Sequence, residues 1–455
     1  MADPVPTRTG SVSSSSTAEH AGDSTVAKAQ THEATTTQEP DLEKVVSEKP
    51  SIHHPSQFPD GGTQAWLAVA GGFACLFVSF GWINAIGIFQ AYYETVLLSS
   101  YSPSTIAWII SLETFFMFLG GPIIGKLYDH YGPRWILLTG SFLHVFGLMM
   151  ASLSTEYYQI LLSQGVCSPI GASMIFYPAM SVVLSWFFKR RAMALGIMAS
   201  GSSLGGVIWP IMVQRLIPII GYGWTIRVCA FVILAMMIFA NLTVRSRLPP
   251  HPQPFAIMDF VRPLQSIPFA LLTFGAFCIF FGLFQPFGYV QLSALAIGMD
   301  ANLASYVIPI LNALSIPGRI LPGYLGDKVG RFNVQIAMCY LCGILVLALW
   351  LPAQGNAPIL VFAALYGFAS GAFVSIIPAI VAQLVDIRKI GVSTGAMFAC
   401  ISVAALIGNP IAGQLLSKDD GKFTYLQIMC GVFICFGTTM TVASKAATGK
   451  LFEKF

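Results

Sequence analysis

"GKLYDHYGPRW", residues 125–135, sits between two long apolar runs, and nearly the same spacing returns downstream as "GYLGDKVGRF", residues 323–332. Gly125, Asp129 and Gly132 match Gly323, Asp327 and Gly330, each pair 198 residues apart. In a glycine-rich chain three such matches carry little weight alone. Their placement carries more, because each copy follows the second of six apolar runs. The offset spans six runs, so the chain reads as a six-helix unit written twice.

The 455 residues are 55% hydrophobic and only 10% charged, whereas a soluble domain carries about 25% charged residues. That balance belongs in a lipid bilayer. A formal charge of +4 without a large basic cluster gives no footing for nucleic acid as a partner. All nine cysteines fall within apolar runs, which argues against a disulfide framework or a zinc site. Cys339 and Cys342 form a C-x-x-C with no second pair and read as packing. Residues 1–60 differ in kind. Stretches such as "SVSSSSTAEH" and "THEATTTQEP" are poor in large apolar residues and predict a disordered cytosolic tail. No apolar h-region follows the start, so the segment does not read as a cleaved signal peptide.

A spanning helix needs about 20 mostly apolar residues. The sequence offers twelve, near 65–90, 104–124, 135–154, 157–185, 191–216, 224–243, 267–290, 302–322, 334–353, 357–384, 391–416 and 424–443. They group into an N-terminal bundle at 61–244 and a C-terminal bundle at 267–444. A cytosolic loop at 245–266 joins them, and a short tail at 445–455 follows. With the N-terminus inside, the cytosolic side receives most Lys and Arg, among them Lys126, Arg134, Lys189, Arg190, Arg191, Arg331, Arg388 and Lys389. The opposite face receives mainly Lys418 and Lys422. This asymmetry places both termini in the cytosol. The fold class expected is therefore an all-α membrane protein with twelve transmembrane helices in two pseudo-symmetric bundles.

The repeated stretch has the physics of a movable seam. Gly125 and Gly323 allow neighbouring helices to approach, and Gly132 and Gly330 allow a tight reversal. Asp129 and Asp327 read as lying just before a helix begins, where a carboxylate caps free N–H groups and favours the positive dipole end.

In these residues the sequence resembles the major facilitator superfamily, whose loop signature is G-x-x-x-D-x-x-G-x-[RK]. Gly125, Asp129, Gly132 and Arg134 fit it, with His130 where the family often has a base. Gly323, Asp327, Gly330 and Arg331 fit it with the arginine one place earlier. The resemblance implies two bundles, each an inverted three-plus-three repeat, related along the membrane normal.

Two further stretches are similar to signatures of the monocarboxylate porter family, especially its fungal branch. "PDGGTQAW" precedes the first span through Asp60, Gly61, Gly62 and Trp66. "WFFKRRAMALGIMASGSSLGG", residues 186–206, enters the fifth through Lys189, Arg190, Arg191, Gly196, Gly201 and Gly205. Gly201 and Gly205 also form a small-xxx-small face for helix packing. Animal porters place a lysine where this chain has Asn84, and an aspartate where it has Ser315, while their arginine stands here as Arg319. The departures point away from lactate and pyruvate and toward another substrate.

Charges inside a membrane are costly, about 2.5–3.5 kcal/mol on insertion scales, and usually face a bundle interior. Arg319, in "IPGRILPG", is a candidate for substrate or coupling work, with snorkelling as its bland alternative. Glu113, in "SLETFF", is a candidate proton carrier or a polar packing residue. By the resemblance, helices 1, 4, 7 and 10 line a cavity. They bring Trp82 and Asn84, Ser173 and Tyr177, Phe284 and Gln285, and Phe368 and Ser370. That amphipathic, aromatic set suits an organic molecule with at most one anionic group.

The functional expectation is a secondary active carrier working by alternating access in a lipid bilayer, with a small-molecule substrate and no cofactor. Proton-coupled and uncoupled cycles both fit. No G-x-x-x-x-G-K-[ST] is present for ATP hydrolysis. Export of a fungal secondary metabolite is the alternative within the same fold, and a non-transporting nutrient receptor is the alternative outside it. A membrane enzyme is not expected, because His144 stands alone. The pattern specifies no oligomeric state. The plasma membrane is the expected location, with the vacuolar membrane second.

Overall fold

The computed structural model describes residues 58–249, 258–386, 389–419, 421–451 and 453. The expected disordered tail lies almost wholly outside these residues, as does Arg388. Among the described residues, eleven helices are long and apolar enough to cross a membrane. One of them, Arg191–Thr243, has 53 residues, and at about 1.5 Å per residue that is far more than one crossing needs. Its backbone leaves the helical region at Gly221, with φ 77° and ψ 165°. Only glycine reaches that conformation cheaply, and it separates 191–220 from 222–243.

In chain order the spans are α1 (Thr63–Leu97), α2 (Thr105–Tyr131), α3 (Pro133–Ala151), α4 (Tyr157–Trp186), α5 (191–220) and α6 (222–243). The second set is α7 (Ile267–Ala296), α8 (Ala301–Val329), α9 (Arg331–Trp350), α10 (Asn356–Leu384), α11 (Ile390–Lys418) and α12 (Thr424–Ala447). The segment expected as a plain central loop carries short helical turns at Met258–Val261 and Arg262–Gln265. Prolines stand inside α4, α5, α8, α10 and α11. A membrane helix tolerates them because neighbouring side chains and local adjustments satisfy the freed carbonyls.

α1 is not straight. Its helix stops at Ser79, whose hydroxyl donates back to the Cys75 carbonyl at 2.6 Å, a bond that loosens the main-chain ladder. Short helical pieces follow at Phe80–Ile83 and Ile86–Tyr92, and a wide turn at Tyr93–Leu97. Gly81 sits in the first piece, where an added methyl would lie 3.0 Å from Gly205 Cα on α5. Gly201 and Gly205 both face α1: a methyl on Gly205 would stand 2.7 Å from the Phe77 carbonyl oxygen, and one on Gly201 would collide with that of Phe73.

Two seams join the first six helices to the second six, α2 against α11 and α5 against α8. They are built alike. A methyl on Gly125 would lie 2.5 Å from the Gly391 carbonyl oxygen, and one on Gly323 would lie 2.5 Å from that of Ala192. Each repeated glycine therefore lets the end of one helix touch the beginning of another from the opposite half.

The repeated stretches differ from expectation in one respect. They are not loops. α2 runs to Tyr131 and α8 to Val329, and only Gly132 (φ 75°) and Gly330 (φ 110°) break the helix before the next begins. Asp129 and Asp327 consequently lie in the last turns of α2 and α8, and neither caps the helix that follows it in sequence. The dipole each can serve belongs to a helix across the seam.

Candidate functional site

Asp327 shows what the repeated aspartate does. Its carboxylate accepts from the backbone N–H groups of Ala192 (3.1 Å) and Met193 (2.9 Å), in the first turn of α5. Arg331, one helical turn on, pairs with it at 2.9 Å and also donates to the Phe188 carbonyl across the seam. The arginine sits at the first position of α9, which sets its side chain beside Asp327. In the first copy the equivalent base comes one residue later, and Arg134 is exposed. Asp129 faces Gly391, where a methyl would lie 3.1 Å from Oδ1. It makes no hydrogen bond among the described residues. One aspartate is tightly bonded across its seam and the other is only in contact.

The basic triplet divides its work. Arg191 is buried, donates to the Phe187 carbonyl at 3.0 Å and to the Ala382 carbonyl on α10 at 3.3 Å, and lies over the rings of Phe58 and Phe188. Lys189 and Arg190 are exposed, and their side chains do not reach Asp327. Their backbone N–H groups, with that of Phe188, instead donate to one oxygen of Asp60 at 2.7, 3.2 and 2.8 Å. Asp60 holds φ 49°, a strained conformation for a non-glycine residue that these bonds maintain. The stretches before α1 and before α5 thus meet directly, a contact that sequence spacing does not reveal. Lys389 forms the start of α11, exposed.

Deeper in the α5–α8 seam lies Arg319, 3% exposed. Nη1 donates to the Ala199 carbonyl at 2.5 Å and to the Ser202 hydroxyl, while Nε has no partner. No Asp or Glu pairs with it among the described residues. Asn84 of α1 donates to the Ser202 carbonyl at 3.3 Å. Ser315 bonds Ser203 at 2.7 Å, and Asn312 Oδ1, beside Gly206 and unpartnered, completes the cluster. Sequence reading singled out Arg319, Asn84 and Ser315 but passed over Ser202 and Ser203, although two hydroxyls in mid-helix within "GSSLGG" were a visible signal.

The remaining cavity candidates do not form one group. Tyr177 is buried in the other seam, donating to the Phe118 carbonyl at 2.8 Å. Phe118 stacks on Phe398 of α11 at 5.4 Å and meets Phe280 edge-on at 5.5 Å, while Phe80 meets Phe284 at 5.6 Å. These rings close the space between the halves. Gln285 faces Gly408 on α11 with Oε1 unpartnered. Ser173 is buried with a free hydroxyl beside Gly120. Phe368 presents its backbone to Gly318, and Ser370 bonds only its own helix. Trp82 and Glu113 belong to a separate buried cluster with Gln164, Tyr93 and Tyr222. His144 is held by Ser168 and the Val78 carbonyl.

Residues 65–409 match the model of the Major Facilitator Superfamily. The chain is 54% identical over 395 residues to "MFS-type transporter 1" of Ophiocordyceps sp., covering 87% of this chain and 88% of that protein. It is 45% identical over 388 residues to the "Fujikurins efflux protein" of Gibberella fujikuroi, covering 85% and 83%. Among solved structures, the transporter FucP in the outward conformation superposes with a TM-score of 0.68 at 14% identity, covering 84% of this chain and 99% of that one. That likeness is one of fold. Paired helix seams, a duplicated glycine–aspartate motif at them and these relatives lead to one conclusion: the chain belongs to the Major Facilitator Superfamily and is a multi-pass membrane transporter of a small molecule.

Proposed function

We propose that this transporter exports a small organic metabolite carrying at most one anionic group, and that Arg319 holds that group when the α5–α8 seam opens. The observation that carries the reading is a guanidinium buried without a counter-charge among the described residues, with one N–H unpartnered. A buried charge is normally paired. Here the present partners, Ala199 and Ser202, lie on the opposite side of a seam that alternating access must part. Once parted, Arg319 offers the forked donor geometry that suits a carboxylate.

The name of the Gibberella fujikuroi relative describes an efflux protein, which favours export of a secondary metabolite over uptake of a nutrient. Trp82, Asn84, Tyr177, Gln285 and Ser370 stand apart in this arrangement and come to line one aromatic, weakly polar path only as the halves part, a path that fits an amphipathic substrate better than lactate. The narrower likeness to monocarboxylate porters rests on the stretches before α1 and at 186–206 and on the retained Arg319. Residues 61–244 and 267–444 act as the two rocking halves. The latches at Asp129 and Asp327, with Arg134, Arg331, Lys189–Arg191 and Lys389 around them, close the cytosolic side. The plasma membrane is the location that export requires, and the vacuolar membrane serves sequestration.

Purified protein reconstituted into vesicles loaded with an organic-acid extract of a producing culture tests this. Time-dependent loss of one acidic component, abolished by Arg319→Ala, supports it. No flux of any component would favour a receptor on a carrier fold. Flux unaffected by Arg319→Ala would remove Arg319 from the substrate path. The same system, assayed for product formation, addresses an enzymatic role.

A further inference from the structure

Glu113 lies near the middle of α2 and is 2% exposed. Its carboxyl accepts from Gln164 Nε2 on α4 at 3.2 Å. Gln164 Oε1 accepts in turn from the Tyr93 hydroxyl, at the outer end of α1, and Tyr93 meets the Tyr222 hydroxyl at 2.9 Å. Tyr222 follows the Gly221 break and stacks on Tyr92 at 5.4 Å. Trp82, also on α1, acts on the same carboxyl while its Nε1 remains outside hydrogen-bonding geometry with any group. Tyr93 and Trp82 are thus two hands of α1 reaching toward one acid.

Among the described residues, no cation pairs with that acid. The titratable groups acting with it are the phenols Tyr93 and Tyr222. Glu94, next to Tyr93, is engaged by Gln90 at 2.8 Å. On the other elements packed against α2, Cys167 contacts the Leu143 carbonyl and Tyr177 the Phe118 carbonyl. Cys400 of α11 is half-buried. Lys126, Asp129 and His130 lie at the far end of the α2 span, by the latch.

We propose that Glu113 is a proton-binding site whose charge state sets how tightly the outer half of α1 is held against α2 and α4. The step is simple: the carboxylate takes one proton from solvent to become the acid, and returns it. As carboxylate, Glu113 attracts both donors, Gln164 Nε2 and the otherwise unpartnered Trp82 Nε1, so α1 is drawn in. As acid it holds them weakly, as neutral hydrogen bonds are about half as strong as charge-assisted ones, and α1 is released. An amide does not ionise at neutral pH, so Gln164 is no proton relay. Exchange with water occurs when Tyr93 and Tyr222 part, which ties proton traffic to opening of the outer side. α1 also carries Asn84, which binds Ser202, the residue that holds Arg319. Proton binding and anion binding therefore meet on one bent helix. That linkage rests on the export reading, whereas proton binding at Glu113 does not.

The test is chosen to separate the two. Infrared difference spectra of the purified full-length protein, stepped between about pH 5 and pH 9, read protonated carboxyl groups without any substrate. A buried-acid band that titrates in the wild type and is lost in Glu113→Gln is expected; the same band persisting in Glu113→Gln overturns the proposal. In parallel, labelling of a cysteine introduced near the outer end of α1, in a background lacking the other thiols, reads helix release. It should slow by about threefold or more as pH rises, because the carboxylate draws α1 in. In Glu113→Gln it should stay fast at every pH. Tyr93→Phe keeps the ring and cuts the chain, so it should retain the infrared band and blunt the labelling response. PH-independent labelling in the wild type would also overturn the proposal.

Discussion

Replacing Asp327 by Asn tests the latch where it is best bonded. The side chain keeps its shape but loses its charge, and the two N–H bonds from Ala192 and Met193 cross the seam. The two donors use different carboxylate oxygens, and an amide keeps only one acceptor, so one bond to a charged group is lost, about 1.5–3 kcal/mol, and the other becomes neutral and loses roughly 1 kcal/mol. Loss of the helix-dipole interaction with α5 adds about 0.3–1 kcal/mol. The Asp327–Arg331 pair lies within one side of the seam and is weakened in both open and closed states, so it largely cancels. The closed state should lose about 3–5 kcal/mol relative to the open one, a shift of more than about a hundredfold. Asp129 makes no such bonds, so Asp129→Asn should cost only the dipole contribution, about 0.3–1 kcal/mol. Distances between spin labels on the gate-side ends of α5 and α8, measured in both variants, read the populations directly. The long-distance population should dominate in Asp327→Asn and change little in Asp129→Asn. Equal responses in the two variants, or none in Asp327→Asn, would refute the reasoning.

Further outcomes follow from the same contacts. Arg319→Lys keeps the charge but not the fork, and transport should fall by about ten- to a hundredfold with membrane abundance unchanged, measured by vesicle flux and quantitative blotting. Gly323→Val should fold and insert yet leave the gate open, because the added carbons meet the Ala192 carbonyl; accessibility of a cysteine in the path from the gate side checks this. Gly201→Val, which meets Phe73 within one half, should instead lower the unfolding temperature and the yield. Asp60→Ala removes the acceptor for three N–H groups and should destabilise the α4–α5 connection by about 1–3 kcal/mol, seen as faster hydrogen exchange at residues 188–190.

Much of the fold was legible because membrane helices announce themselves by length and apolarity, and because the duplication repeats at a fixed offset. The stretch 191–243 reads as two spans, 191–216 and 224–243, because one crossing needs only about 20 residues, and the backbone breaks between them at Gly221. The seam glycines were legible for the same reason, since small residues at helix ends have few other uses. The carboxylates were misread as capping the helix that follows each in sequence, because a capping signal is local. The duplication carries the rest: a two-fold relation between the halves brings the stretch after α8 to the start of α5, 135 residues away, where Asp327 accepts its bonds. Arg319 stood out because charge is conspicuous in a membrane. Gln164, Tyr93 and Tyr222 did not, because each is ordinary alone and their meaning lies in converging from three elements on Glu113.

The central claim is that the protein carries an acidic metabolite outward with Arg319 as the anion's partner. Comparing metabolites inside and outside cells that lack the protein, and that carry wild type or Arg319→Ala, tests it most directly. The account predicts one compound, anionic at neutral pH, retained in cells lacking the protein, returned to the medium by wild type and still retained with Arg319→Ala. A redistributed compound that is cationic, or one that Arg319→Ala exports as well as wild type, would contradict it.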